Sequence, residues 1–202
     1  MNVIIAGECS GITRDAFAAL GHHAWSCDLK PSKRPGQHWQ GSWRDIEWSF
    51  FDLLIAHPEC THLAVSGAAH FAAKRADGRQ QAAIDEFMYL ANAPVPMKCI
   101  ENPVCIMSTL YRKPDQIIQP HQFGHPEFKA TCYWLTGLPK LVPTNPLQVP
   151  KRGTAEFRAW EKKHRLGPSP DRAEKRSESF VNVALAMADQ WSRYAEQTRL
   201  AA

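Results

Sequence analysis

Over its first ~140 residues this chain alternates short apolar runs with helix-period segments, and no other feature constrains its fold as much. Val3–Ala6, Ala24–Cys27, Asp52–Ala56 and Met97–Ile100 read as strands, and Lys129–Leu135 as a later one. Between them, Ile12–Leu20 places Ile12, Ala16, Phe17 and Leu20 on one helical face, with Gly21 as the stop. Gln80–Asn92 reads as a helix that buries Ile84, Phe87, Met88 and Ala91. Near the end, Phe180, Val183, Ala184, Met187, Ala188 and Trp191 recur at helical spacing, an amphipathic helix made to dock on a sheet. The expected architecture is α/β, a mostly parallel sheet with helices on both faces.

Residues 29–48 are loop-rich, the Pro-rich stretch 139–150 reads as an extended connector, and Thr154–Arg165 as a basic helix. Charge concentrates there. Residues 151–176 hold nine Lys and Arg against four Asp and Glu, while the whole chain carries only +4. A basic segment of this kind suits a polyanion or a solvated surface. Arg158, Lys162 and Arg165 share one face of the helix and are candidates for phosphate contact.

No apolar run reaches the roughly 18 residues of a membrane span. The first residues lack the basic start of a secretory signal. A soluble intracellular protein is the expectation. The six cysteines, Cys9, Cys27, Cys60, Cys99, Cys105 and Cys132, include no C-x-x-C pair. They therefore point to neither a disulfide framework nor a zinc knuckle. Most of these thiols read as small buried apolar groups.

In open α/β sheets ligands bind beyond the carboxyl ends of the strands. Three unusual loops leave such ends: Gly7-Glu8-Cys9-Ser10-Gly11, His57-Pro58-Glu59-Cys60-Thr61-His62 and Glu101-Asn102-Pro103. The glycines of the first let backbone amides approach a ligand or simply make a tight strand-to-helix turn. Asp28, ending the next strand, suits a ribose diol or a loop cap. Cys60, on a loop that should be exposed, is better placed for nucleophilic work than the strand cysteines. Glu101, at a buried strand end, is either paired structurally or kept for proton work. Trp39, Trp43 and Trp48 cluster in the loop-rich segment, to pack it against the sheet or to stack on a base.

Together these residues resemble the DNA (cytosine-5) methyltransferases, of the compact kind encoded by bacteriophages. The resemblance runs in order along almost the whole chain. Gly7–Gly11 and Asp28 stand where that family binds S-adenosylmethionine, and His57-Pro58-Glu59-Cys60 stands for its Pro-Cys nucleophile motif. Ile100-Glu101-Asn102-Pro103 is similar to its Glu-Asn motif, and Gly124–Thr131 to its G-x-P-Q-x-R-x-R motif. The helix over Ser177–Trp191 resembles the closing helix of the family. The resemblance implies a Rossmann-like class I methyltransferase domain over 1–202. A short insertion over 139–176 replaces the large target-recognition domain, and a closing helix spans 177–196. It implies S-adenosylmethionine as cofactor, met by Gly7, Cys9, Gly11, Asp28, Asp45 and Pro58. Cys60, Glu101, Asn102 and Lys129 are the implied catalytic set, DNA is the implied partner through 151–176, and no metal is implied.

The sequence departs from the family at several points. Glu59 precedes the cysteine where proline is expected, and its carboxylate would raise the thiol pKa if turned inward. Ser42 stands where the family has an acid, with Asp45 three residues on as a substitute. Lys129 and Thr131 replace arginines, and lysine cannot reproduce their bidentate contacts. With no large recognition domain, a separate recognition subunit is a further partner the resemblance allows; a catalytically altered relative that binds DNA or a partner is the alternative reading. A zinc deaminase is a third reading, because His57-Pro58-Glu59 and His125-Pro126-Glu127 match H-x-E, but the P-C-x-x-C that must follow is missing.

Overall fold

The apolar runs form the centre of a sheet because they are covered on both faces. In a computed structural model, which describes residues 1–161, 167, 169 and 179–200, alternate residues of each strand feed two separate cores. Val3, Ile5, Leu53, Ile55, Cys99, Tyr133 and Leu135 face one side; Ile4, Ala6, Leu54, Ala56, Ile100, Cys132 and Trp134 face the other. This is the period of two that a pleated strand imposes.

In chain order the elements are β1 (Asn2–Ala6), α1 (Ile12–Ala18), β2 (His23–Asp28), β3 (His38–Gln40), β4 (Leu53–Ala56), α2 (Phe71–Ala76) and α3 (Arg79–Ala91). They continue as β5 (Met97–Pro103), α4 (Met107–Leu110), β6 (Gln116–Ile118), β7 (Thr131–Thr136), α5 (Ala155–Trp160) and α6 (Val181–Leu200). The sheet order is β3-β2-β1-β4-β5-β7-β6. The first five strands run parallel, and β7 lies antiparallel between β5 and β6. This is an α/β, Rossmann-like fold, a mostly parallel sheet with one antiparallel strand inserted near its edge.

One face is covered by α1 and α6, whose Phe17, Val183, Met187 and Trp191 meet Ile5, Ile55 and Tyr133. The other is covered by α3, with Phe87 edge-on to Trp134 at 5.1 Å between ring centroids. The indole of Trp191 donates to the carbonyl of Pro139 at 3.0 Å, and Leu141 is buried nearby, so α6 anchors the connector that follows β7. No helix among the described residues is long and apolar enough to cross a membrane.

Several expectations need correction. Leu20 is 51% exposed. The helix stops at Ala18, and Gly21, at φ +81°, turns the chain so that the last apolar residue leaves the buried face. In α3 the inner positions belong to Ala83, Phe87, Leu90 and Ala91, and Ile84 and Met88 sit at the margin. The run from Met97 continues as strand through Glu101 and Asn102 to Pro103. The loop-rich 29–48 segment contains β3, and the strand expected from Lys129 begins at Thr131. Of the basic helix, Ala155–Trp160 is described, capped by the Thr154 hydroxyl; Lys162 and Arg165 lie outside the described residues, as do 170–178. Trp48 is buried with its indole on the Tyr89 hydroxyl, Trp43 packs at the core margin, and Trp39 is 47% exposed.

Candidate functional site

Strand order reverses between β1 and β4: the chain winds from β1 outward to β2 and β3, then returns to β4 on the other side. Loops leaving two such neighbouring strands diverge, and the crevice between them is where open α/β sheets bind ligands. The loops here are Gly7–Gly11 and His57–His62. They touch through Gly7, at φ +80°, where a methyl group would overlap the carbonyl oxygen of His57. Alanine at Gly7 should therefore cost more than alanine at Gly21, which has nearly the same φ and nothing within 4 Å. The backbone strain is common to both, about 1–3 kcal/mol. Urea unfolding of the two variants should show Gly7→Ala the less stable by at least about 1 kcal/mol.

The first loop is organised by two buried charges. The Glu8 carboxylate accepts from the amides of Thr13 (2.8 Å) and Arg14 (3.2 Å) and from the Ser10 hydroxyl (2.9 Å), so it caps α1 from within. Those first-turn amides are thereby taken by the protein itself. Arg14, 1% exposed, donates to Ser26, Ser32, Asp15 and the carbonyls of Arg34 and Pro35. It ties α1 to the segment that follows Asp28. Asp28 is half-buried at the tip of β2, with one carboxylate oxygen on the Lys30 amide at 2.9 Å. Leu29 beside it is 75% exposed. Cys9 is half-buried in the first loop, and its carbonyl accepts from the Lys33 amide. Asp45 lies exposed in the short turn Trp43–Asp45, which Ser42 caps.

The second loop carries the candidate nucleophile. Pro58 is buried, and its carbonyl accepts from the side-chain amide of Asn102 at 3.2 Å. The carbonyl of Cys60 accepts from the amides of Leu63 (3.0 Å) and Ala64 (2.9 Å), which coils the chain into a turn. Glu59 is exposed and folds back onto the Thr61 amide at 2.9 Å. Cys60 is half-buried. Burial raises its thiol pKa first, and the charges of Glu101 and Glu59 add to this, while Lys129 pulls it back. The strand thiols Cys27, Cys99 and Cys132, and Cys105 just past β5, are buried and form no disulfide.

The structure joins Glu101 to a partner that the sequence reading did not assign. Ala56 and Ile100 are register partners in the β4–β5 ladder, so the next residues, His57 and Glu101, emerge side by side. Nδ1 of His57 lies 2.6 Å from Oε2 of Glu101. Burial works against charge on the imidazole, but the Glu101 hydrogen bond and charge outweigh it and raise the His57 pKa, with help from Glu8. Burial likewise opposes ionisation of Glu101, and the His57 bond and charge, with Lys129, nonetheless lower its pKa. His57 Nε2 and Asn102 Oδ1 are buried without a hydrogen-bond partner. His57, Glu101, Lys129, Thr131 and Tyr133 line a small cavity that Phe180 and Met187 of the α6 region close. The Lys129 ammonium lies 5.6 Å from the Phe180 ring, and the Thr131 hydroxyl donates to the Lys129 carbonyl.

The fold thus gathers Cys60, Glu101, Asn102, Lys129 and Pro58 at the ends of β4, β5 and β7, beside Gly7. Asp28 and Asp45 stand toward the β2–β3 side of the sheet. Among the described residues no group of three or more His, Cys, Asp and Glu could hold a metal ion. The two H-x-E histidines are otherwise engaged, His57 with Glu101 and His125 with the Asn182 amide at 3.1 Å.

No protein-family model matches the chain, and no curated protein matches it in sequence. Among solved structures it is similar to a DNA modification methyltransferase encoded within an E. coli prophage. That match has 16% identity and a TM-score of 0.45, covering 67% of this chain and 46% of that one. It is also similar to the Entamoeba histolytica methyltransferase EhMeth, with 16% identity and a TM-score of 0.47, covering 74% of this chain and 58% of that one. The matched part is about half the length of those proteins.

Proposed function

We propose that this protein transfers a methyl group from S-adenosylmethionine to carbon 5 of cytosine in DNA, through a covalent adduct on Cys60. The observation that carries this reading is that the Cys60 loop and Glu101 leave neighbouring parallel strands, tied by the Asn102 side chain on the Pro58 carbonyl, with Glu101 and Lys129 lining one cavity. They adjoin the crevice where strand order reverses. A half-buried acid beside an exposed leucine, Asp28 and Leu29, suits the ribose and the adenine face of the cofactor. The Gly7–Gly11 turn suits its amino-acid end, although Glu8 occupies the α1 amides. When bound, S-adenosylmethionine supplies a methyl group activated by its sulfonium.

Carbon 5 of cytosine is a poor nucleophile. The Cys60 thiolate adds to carbon 6, which removes the aromaticity of the ring and makes carbon 5 an enamine carbon able to take the methyl group. Glu101 meets ring nitrogen 3 and the exocyclic amine, stabilising the protonated adduct. Lys129 favours the thiolate, and Asn102 fixes the loop through the Pro58 carbonyl. A base then removes the carbon 5 proton and elimination frees Cys60. The cytosine has to be unstacked or unpaired to be reached. Basic residues of 151–176 are assigned to the phosphates.

A catalytically altered relative that only binds DNA or a partner is the second reading, favoured by the tie between Glu101 and His57 at 2.6 Å. Incubation with methyl-labelled S-adenosylmethionine and DNA, single-stranded and duplex, followed by nucleoside analysis, separates the two. The expected product is 5-methylcytosine. Cofactor binding without labelled product would establish the altered relative, and label on adenine or on cytosine N4 would overturn the thiol mechanism.

A further inference from the structure

The loop that carries Cys60 is gripped from behind by two buried polar side chains that hydrophobic patterning does not explain. Lys74, 8% exposed on α2, donates from Nζ to the carbonyl of Thr61 at 2.6 Å. Gln80, 4% exposed on α3, donates from Nε2 to the carbonyl of His62 at 3.1 Å. These are the first two peptide carbonyls after Cys60. On the other side Asn102 holds the carbonyl of Pro58, and the amides of Leu63 and Ala64 hold that of Cys60 itself. The four carbonyls of Pro58, Cys60, Thr61 and His62 are thus all tied. Burying a lysine amine carries a desolvation cost that a neutral donor would avoid. Such a cost at a loop usually marks a position whose geometry matters to the site.

We propose that Lys74 and Gln80 are positioning residues that clamp the Cys60 turn and hold its sulfur against Glu101, a role that rests on Cys60 being the nucleophile. Neither touches the reacting atoms. Releasing the clamp lets the turn open toward solvent. The thiol then becomes easier to reach and less penalised by burial, yet worse aligned for addition to a base. Labelling and catalysis should therefore move in opposite directions, with the rise in labelling confined to Cys60; general loosening of the protein would expose the buried thiols as well.

The test uses the full chain with Lys74→Met, Gln80→Met and the double variant. Iodoacetamide labelling is read on each cysteine-containing peptide by mass spectrometry, alongside methyl transfer to cytosine-containing DNA. Labelling of Cys60 should rise about fivefold or more in the double variant, with Cys27 and Cys105 still unlabelled. Its kcat should fall about tenfold with KM within about twofold. Should the lysine variant fail to fold, Gln80→Met alone decides, since it replaces one neutral donor by an apolar group of similar size. Unchanged Cys60 labelling, or labelling of Cys27 and Cys105 together with Cys60, would overturn the clamp. So would selective labelling with undiminished kcat. If the unmodified protein transfers no methyl group to cytosine, the functional reading fails, while the labelling pattern still decides whether Lys74 and Gln80 hold the turn.

Discussion

Cys60→Ala is expected to lower methyl transfer by on the order of 10³-fold or more, because no other group at the site can add to carbon 6. The affinity for S-adenosylmethionine, measured by calorimetry, should change by less than about twofold, since the thiol sits across the crevice from Asp28 and Leu29. A second signature accompanies the first. Burial and the two neighbouring carboxylates raise the thiol pKa, so at neutral pH the thiolate is a minor species. Its population, and with it both turnover and iodoacetamide labelling of Cys60, should climb roughly tenfold per unit between pH 7 and 8. DNA containing 5-fluorocytosine should capture the protein as an adduct stable to denaturation, because fluorine replaces the proton that must leave carbon 5. Retained activity in Cys60→Ala would end the covalent mechanism, and a pH-independent labelling rate would contradict the environment described for the thiol.

Glu101→Gln is expected to act on both chemistry and stability. Loss of the carboxylate should slow turnover by about 10²–10⁴-fold, the range typical of a positioned acid–base group. The effect on folding depends on pH. His57 has a pKa raised above its ordinary 6.5, so its contribution to stability is complete below that value and is lost as pH rises through the folded value. Glu101 has a pKa lowered from its ordinary 4.5, so its contribution is present above that value and is lost as pH falls through the folded one. Both describe one interaction, which is strongest between those two ordinary values. Glu8 adds to the effect on His57 and Lys129 opposes it. Urea unfolding should therefore show the unmodified protein losing stability as pH rises from 6 toward 9. Glu101→Gln should be less stable by about 1–3 kcal/mol near pH 6, with the difference shrinking above pH 8. A gap that widened with pH would mean that the pair does not share charge in this way.

How much of this was legible in the sequence follows from what each element owes to its own residues. β1, β2, β4 and β5 announce themselves because apolar side chains cover them on both faces. β3 and β6 span three residues each and are held by neighbours, so they carry almost no pattern of their own. The Ala- and charge-rich α2 shows no apolar stripe. Cys60 and Glu101 stand out because they interrupt apolar runs at strand ends. His57 could have been found by laying Leu53–Ala56 beside Met97–Ile100 in parallel register, which makes residues 57 and 101 neighbours. Lys74 and Gln80 could not. They look like ordinary surface positions on their helices, and only the folded chain reveals that backbone carbonyls, rather than water, accept their hydrogen bonds.

Arg14 gives the molecule a mechanical property. One guanidinium grips both the helix after the first strand and the chain that passes in front of it, so floor and wall of the crevice behave as a single welded part. A graft that exchanged residues 32–36 for a foreign loop would remove the Ser32, Arg34 and Pro35 acceptors and leave the buried guanidinium with Asp15 and Ser26 alone.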